Sequence, residues 1–357
     1  MQKRNRKPIF EQHGHTPEMR MQILSTGSPG FGRSLYLKQM LDPQYGLVNA
    51  GLFMQEGDGN PQKGSPSIRM MTSCTEARWV GSSTSTDGEI REEWGVAHMC
   101  NNGIVGVEEF HALEQMFKTT HSGHMEQALC MSLWDGDVTK DLKGLTIKYH
   151  TDVTMWAANQ VMRFGTGAGL FRRFFHIMWI PTLAEMQTIR DAIWDGDNVG
   201  LDAPRLLKYH KELHVLNDRL EDIRSVTFDP SVREALSDVA PYDIIPYRNM
   251  IFGYNLMRDS DIPEDFTVYM DDSLHGVLKD AIQWRKQLLA DPEGYQTRQL
   301  IYDMSHGEED EWVDMQSLRD NNLLYSVSYA KTAKILQRLM ASKQINYDGI
   351  QNKVKLK

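Results

Sequence analysis

Through its first half the chain gathers apolar residues into short runs that stop on a glycine, an acid or a polar residue, a rhythm of buried strands rather than long helices. Met21-Gln22-Ile23-Leu24-Ser25-Thr26 is strand-like and breaks into Gly27-Ser28-Pro29-Gly30-Phe31-Gly32. Beyond the glycines, Leu35, Leu37 and Met40 fit a helix that opens at Arg33 and Ser34. Three more runs follow: Gly103-Ile104-Val105-Gly106-Val107, ending in Glu108-Glu109; Val153 to Ala158, ending at Asn159; and Phe175 to Ile180, preceded by Arg172-Arg173. Such runs, separated by helical stretches, predict a parallel α/β sheet covered on both faces.

Elsewhere the pattern changes. Residues 42–92 are rich in Gly, Ser, Asn and Asp with weak periodicity, and the text reads as helical from about 183 to 257, with Leu206, Leu207, Leu213, Leu216 and Leu220 among many charges. An amphipathic stretch from Leu274 to Leu289 leads to the acidic run Glu308-Glu309-Asp310-Glu311, read as a solvated linker. Near the C-terminus a helical pattern (Tyr329 to Lys343) precedes strand-like Ile345-Asn346-Tyr347, an Asp348-Gly349 turn and a basic strand at Lys353 to Lys357. Asp-Gly between such segments predicts a hairpin, and helices before a terminal hairpin predict a winged helix. The expected organisation is a basic arm over 1–20, an α/β core over 21–182, a helical lid and linker over 183–300, and a winged-helix domain over 301–357.

Composition adds limits. At 357 residues two or three domains are expected. No run approaches the roughly 18–20 apolar residues of a membrane span, so no membrane partner is expected. The N-terminal Met-Gln-Lys-Arg-Asn-Arg-Lys is basic but lacks the apolar segment of a secretory signal. Three scattered cysteines argue for a reducing compartment and against a disulfide framework, so the expected location is cytoplasmic. The net charge of −9 does not suggest an all-over basic coat for nucleic acid and does not exclude one, and a channel needs positive charge only along its wall. His13-Gly14-His15 and His121-Ser122-Gly123-His124 lack a third ligand at metal-site spacing and read as surface histidines.

The chemistry-bearing residues lie where the runs end. Gly27-x-x-x-x-Gly32-Arg33-Ser34 matches the phosphate-binding loop G-x-x-x-x-G-K-[ST] except that arginine replaces lysine. Such a loop, Gly27, Ser28, Pro29, Gly30, Phe31, Gly32, Arg33 and Ser34, would wrap backbone N–H groups around the β-phosphate of ATP, with Ser34 on Mg²⁺. A glycine-rich turn with one mismatch is, by itself, about as often an ordinary loop. Val105-Gly106-Val107-Glu108-Glu109 then supplies a strand ending in two acids, the first for Mg²⁺ and the second to orient or deprotonate the attacking water. Asn159 would sense the γ-phosphate and that water, and Arg173 would serve as an arginine finger in a neighbouring subunit's site. The order of all four elements carries more weight than any one of them.

The stretch Glu92-Glu93-Trp94-Gly95-Val96-Ala97-His98-Met99-Cys100-Asn101-Asn102-Gly103-Ile104-Val105-Gly106-Val107-Glu108-Glu109-Phe110 resembles the helix-2-insert and Walker B region of the minichromosome maintenance (MCM) helicases, a branch of the AAA+ ATPases. Gly81-Ser82-Ser83-Thr84-Ser85 is similar to the start of that family's helix-2 insert. Met125-Glu126-Gln127 is similar to the opening of its pre-sensor-1 hairpin, and Lys143-Gly144 to the lysine-bearing tip. Trp156-Ala157-Ala158-Asn159 and Leu170-Phe171-Arg172-Arg173-Phe174 resemble its sensor-1 and arginine-finger motifs, and Tyr247-Arg248 its sensor 2. The likeness spans roughly residues 20–260 and, more weakly, the C-terminal domain. Arg33, Glu108 and Gln160 depart from the family pattern, and no counterpart of its N-terminal DNA-binding collar is expected here.

The resemblance implies an AAA+ core with a helical lid, followed by a winged helix, working as a homo-hexameric DNA helicase or translocase in replication, in a prokaryotic, viral or phage setting and alongside other replication proteins. ATP and Mg²⁺ would sit between subunits. Glu109 and Asn159, with Ser34 and Glu108 on the metal, would come from one subunit, and Arg173 and Arg248 from the next. Lys140, Lys143 and Lys148 would follow a single DNA strand in the channel. Lys331, Lys334 and Arg338, on one face of the C-terminal helix, would meet DNA phosphates, with a solvated basic face as the equal alternative. Two rivals stay open: a ring subunit or adaptor that binds ATP yet hydrolyses it poorly because of Arg33 and Glu108, and a remodelling ATPase of the magnesium-chelatase or protein-remodelling kind.

Overall fold

A computed structural model of the chain describes residues 21–28, 33–41, 68–86, 89–101, 103–117, 124–142, 144–161, 170–195, 212, 223–259 and 263–357. The N-terminal arm, loop residues Pro29 to Gly32, Lys143, the histidines at 13, 15 and 121, and the leucines between 206 and 220 lie outside the described residues. Five parallel strands form the central sheet: β1 (Ile23–Gly27), β2 (Ile68–Met71), β5 (Ile104–Val107), β8 (Thr154–Gln160) and β9 (Phe175–Trp179), in spatial order β2-β5-β8-β1-β9. All five residues of β1 and all four of β5 are buried. That is the reason these segments read as continuous apolar runs rather than as alternating ones.

The two faces of the sheet pack against different material. On one, Leu37 and Leu41 of helix α1 (Arg33–Leu41) meet Ile104 and Ala158. Gly106 permits this approach, because a Cβ there would lie 3.0 Å from Leu41 Cδ1 of α1 and would also displace the Met70 side chain of β2. On the other face, Leu24, Val105, Val107, Met155 and Ala157 share a core with Trp79, Phe110, Leu129, Phe171 and Phe174. Residues 68–99, where periodicity is weak, fold into β2, helix α2 (Glu76–Val80), the hairpin β3 (Gly81–Thr86) and β4 (Glu89–Trp94), and the short helix α3 (Val96–Met99). Helices α4 (Phe110–Met116) and α5 (Met125–Cys130) precede a second hairpin, β6 (Asp137–Leu142) and β7 (Leu145–His150). The two hairpins are joined at their base: the Tyr149 hydroxyl donates to the carbonyl of Val80, the residue before β3, at 2.9 Å, and the Tyr149 ring meets Trp94 of β4 edge-to-face at 5.8 Å.

Helix α6 (Leu183–Trp194) starts in a capping box between Thr182 and Glu185 and buries Met186 against the C-terminal core. The next unit is not wholly helical. A parallel pair, β10 (Ser225–Phe228) and β11 (Asp265–Val268), flanks α7 (Pro230–Ala235) and α8 (Ile244–Arg258), and α9 (Asp272–Ala290) closes the cluster with Leu274, Leu278 and Ala281. Buried Arg285 on α9 pairs with Asp243 and donates to the Phe174 carbonyl at 2.9 Å, so this unit is braced to the N-terminal end of β9. The C-terminal module runs α10 (Pro292–Met304), β12 (Val313–Asp314), α11 (Met315–Leu324), α12 (Tyr329–Ala341), β13 (Ile345–Asp348) and β14 (Lys353–Leu356), with sheet order β12-β14-β13. The expected terminal hairpin therefore forms, antiparallel, around Asp348-Gly349. Among the described residues no helix is long and apolar enough to cross a membrane.

One buried titratable group sets an acid limit on this architecture. His176 on β9 donates from Nε2 to the Phe171 carbonyl at 2.8 Å, and full burial, followed by the nearby Arg285 charge, pushes its pKa down to about 3. A histidine near 6.5 when unfolded therefore binds its proton in the unfolded state first, so folding free energy falls as pH drops below 6.5 and goes on falling toward 3. Between pH 7 and 5 this site alone should remove about 2 kcal/mol of stability. Chemical denaturation at both pH values should show that loss in the wild type and a smaller one in His176→Gln.

Candidate functional site

Parallel strands deliver their C-terminal ends to one edge, and three of those ends line up. Register pairs Thr26 of β1 with Asn159 of β8, and Val107 of β5 with Ala157 of β8. Glu109, two residues beyond Val107, is therefore level with Asn159, and the ladder continues past β5 because the Glu108 N–H donates to the Met71 carbonyl at 3.1 Å. Adjacent strands lie about 4.8 Å apart, which spreads Thr26, Asn159 and Glu109 over roughly 10 Å. All three carry a buried polar atom without a hydrogen-bond partner: Thr26 Oγ1, Asn159 Nδ2 and Glu109 Oε2. Asn159 is fully buried, and its Oδ1 is already taken by the Gln160 N–H at 2.9 Å, so its amide NH₂ is the end left to act.

The loop strand supplies the next contacts. Gly27 is the last residue of β1, and Ser28, fully buried, donates its hydroxyl to Gln296 Oε1 of α10 at 3.2 Å. Arg33 and Ser34 are the first two residues of α1. Ser34 and Lys38 are one turn apart and share a helix face, and the Lys38 ammonium lies 3.5 Å from a Glu108 carboxylate oxygen. The face of α1 that carries Ser34 is thus turned toward Glu108. A hydroxyl and a carboxylate make the hard oxygen donor set that Mg²⁺ takes, with water and phosphate oxygens completing its shell. Sequence reasoning did not reach Thr26, Lys38 or Gln296: none belongs to a motif, and Gln296 is 268 residues from its partner.

The two arginines are elsewhere. Arg173 ends a short 3-10 turn (Phe171–Arg173) just before β9, so it stands at the N-terminal edge of the sheet, opposite the acids. It is exposed, lies over the Trp134 ring at 5.4 Å and donates to Cys130 Sγ at 2.8 Å. Burial, ahead of the opposing Arg173 charge, raises the Cys130 thiol pKa. Arg248 is on α8, whose Tyr247 packs edge-to-face on Phe175 at the same end of β9. Its guanidinium sits 5.6 Å from the Phe228 ring with Nε buried and unpartnered, and burial lowers its pKa. Neither arginine joins the Thr26–Asn159–Glu109 row within one chain.

The expected DNA-facing lysines divide. Lys140 is turned inward, donating to the Gly81 carbonyl and pairing with Glu76, both at 3.2 Å. Lys148 is exposed on β7, on a pair of hairpins that also exposes Glu89, Glu92, Glu93, Asp137 and Asp141. On α12, Lys334 is exposed, Lys331 pairs with Glu293 at 2.7 Å, and Arg338 binds both carboxylate oxygens of Asp291, at 2.7 and 3.0 Å. Among the described residues no group of three His, Cys, Asp or Glu is placed to hold a metal. No protein-family model matches the chain, and a search of curated proteins finds no significant sequence match.

The polar row has a thermodynamic signature. A buried hydroxyl without a partner costs about 1–3 kcal/mol, and an apolar group of the same shape removes that cost. Thr26→Val should therefore raise the unfolding free energy of the ligand-free protein by about 1 kcal/mol in denaturant titrations. A loss of stability instead would mean that the hydroxyl is hydrogen-bonded in the folded protein.

Proposed function

We propose that this chain is an ATP-driven motor of the AAA+ type, working on DNA in the manner of the MCM helicases it resembles. The observation that carries the reading is the row of Thr26, Asn159 and Glu109, each with a buried polar atom short of a partner, at the strand ends where β1 runs into the glycine-rich sequence. Unpaired buried donors and acceptors at the mouth of a parallel sheet are the expected state of a site that awaits phosphate and water. In this reading the loop from Gly27 to Ser34 holds the phosphates. Mg²⁺, held by Ser34 and Glu108, would neutralise charge on the phosphoryl oxygens. Glu109 accepts the proton of the attacking water, and the Asn159 NH₂ fixes that water and a γ-phosphate oxygen.

Arg173 and Arg248 enter as groups acting on a neighbouring copy, because both are carried at the end of the sheet opposite the acids. A ring satisfies that geometry, since each copy offers its row to one neighbour and its arginines to the other. The paired hairpins would face the channel, with Lys148 toward a DNA strand. The C-terminal sequence of helix, strand, two helices and hairpin supports a winged helix. A second reading has its own support. With Lys38 at 3.5 Å, Glu108 already has a counter-charge, and an arginine stands at position 33, which together favour a ring subunit that binds ATP but turns it over slowly.

Steady-state ATP turnover, with and without single-stranded DNA, separates the two. A motor should be stimulated by DNA and should lose activity at least 100-fold in Glu109→Gln. Mixing Glu109→Gln with Arg173→Ala, each inactive alone, should restore part of the turnover, because some interfaces regain an intact row and an intact arginine. Retained ATP binding with no turnover above Glu109→Gln would select the second reading, and mixtures that stay inactive would remove the assignment of Arg173 to a neighbour's site.

A further inference from the structure

Gln296 belongs to α10, the first helix of the C-terminal module, yet it sits against the beginning of the phosphate loop. Its Oε1 accepts the Ser28 hydroxyl at 3.2 Å; its Nε2 is buried and has no partner. Both residues are fully buried, and so is Thr297 on the same turn, whose hydroxyl is also unpartnered. The helix is held firmly in that place. Tyr295 joins the sheet's own core, and Asp291 caps the helix through the Gly294 N–H at 3.0 Å while it binds Arg338 of α12.

The Ser28 hydroxyl uses only the carbonyl half of the amide at position 296. An apolar side chain of similar volume would remove the stranded NH₂ but would leave the buried Ser28 hydroxyl without its acceptor, so only the NH₂ half of the amide has no use in the packing. The two N–H bonds that the Ser28 contact leaves unused therefore need another acceptor.

We propose that Gln296 is a nucleotide-binding residue contributed by the C-terminal module, its amide donating to a phosphate oxygen of ATP held in the loop. The proposal rests on the reading of residues 27–34 as a phosphate-binding loop and adds to it a contact that the loop itself does not contain. A donor of this kind joins two equilibria. ATP stabilises the seating of α10 against the sheet by as much as a seated α10 strengthens ATP binding, because linkage is reciprocal. Nucleotide state thereby reaches the C-terminal module through one helix.

The test measures binding of a fluorescent ATP analogue with Mg²⁺ to the full chain, wild type and Gln296→Met, a substitution that keeps volume and removes the donor. The expected result is affinity about tenfold or more weaker in Gln296→Met, with the melting temperature of the nucleotide-free protein little changed, because relief of the stranded NH₂ offsets the lost Ser28 hydrogen bond. Equal affinity in the two proteins overturns the proposal and leaves the phosphate-loop reading standing. A wild type that binds no ATP brings both down. Should Gln296→Met fail to fold, hydrogen exchange in the wild type decides: ATP should slow exchange across residues 292–304, and unchanged exchange there overturns the proposal.

Discussion

The register that sets Thr26 beside Asn159, and Val107 beside Ala157, is the constraint on which the candidate site depends. A slip of one residue in β8 would turn Asn159 to the face covered by α1 and send Ala158 into its place, because side chains alternate along a strand. Burial prevents that slip. Leu24, Val105 and Ala157 on one face and Ile104 and Ala158 on the other are all withdrawn from water, so either shift would exchange two packed faces at once. The polar row is thus held by apolar residues two positions upstream on each strand. The fold is rigid where the chemistry needs it, and the unpaired atoms of Thr26, Asn159 and Glu109 are tolerated because the core beneath them is closed.

At the opposite edge a different interaction sets the geometry. Arg285 reaches from α9 to the Phe174 carbonyl and to Asp243, so the turn that carries Arg173 and the start of α8 share one buried guanidinium. Removal of either partner would leave an uncompensated buried charge, typically a loss of about 3–5 kcal/mol. The brace fixes Arg173 and Arg248 relative to each other while the five-residue strand β9 keeps them a strand's length, roughly 17 Å, from the row. Within one chain, therefore, the arginines and the polar row occupy opposite edges of the same sheet.

How much of this could be read from sequence follows from the range of each interaction. Strands β1, β5, β8 and β9 and helix α1 announce themselves because each is a local run closed by glycine or a polar residue, and Glu109 and Asn159 are legible as the residues that close two of those runs. The hairpin at Asp348-Gly349 is legible for the same reason. Strands β10 and β11 are less so: they are four residues each, and their parallel pairing spans about 40 positions, which no local pattern marks. Lys38 and Thr26 are invisible for a subtler reason, since a lysine on a helix and a threonine in a strand are ordinary until the fold places Glu108 and Asn159 beside them. Gln296 is the extreme case, its role set by a contact 268 residues away.

The basic face of α12 shows how the same residue types can serve a different end. Spacing places Lys331, Lys334 and Arg338 together, as a phosphate-contacting helix would, but two of the three turn to acids in the first turns of α10. Lys331 holds Glu293, and Arg338 forms a bidentate pair with Asp291, whose carboxylate also caps α10. Such half-exposed pairs add little stability individually. Their effect is geometric, because a guanidinium fork fixes direction as well as distance. They lock α12 to the N-terminal end of α10, four residues before Gln296, and the apolar core of Leu300, Ile301, Leu318, Ile335 and Val354 ties in the remaining elements. Ion pairs at one end of α10 and a shared apolar core along it thus join α10, α12 and the hairpin, so a displacement of α10 would be passed to both.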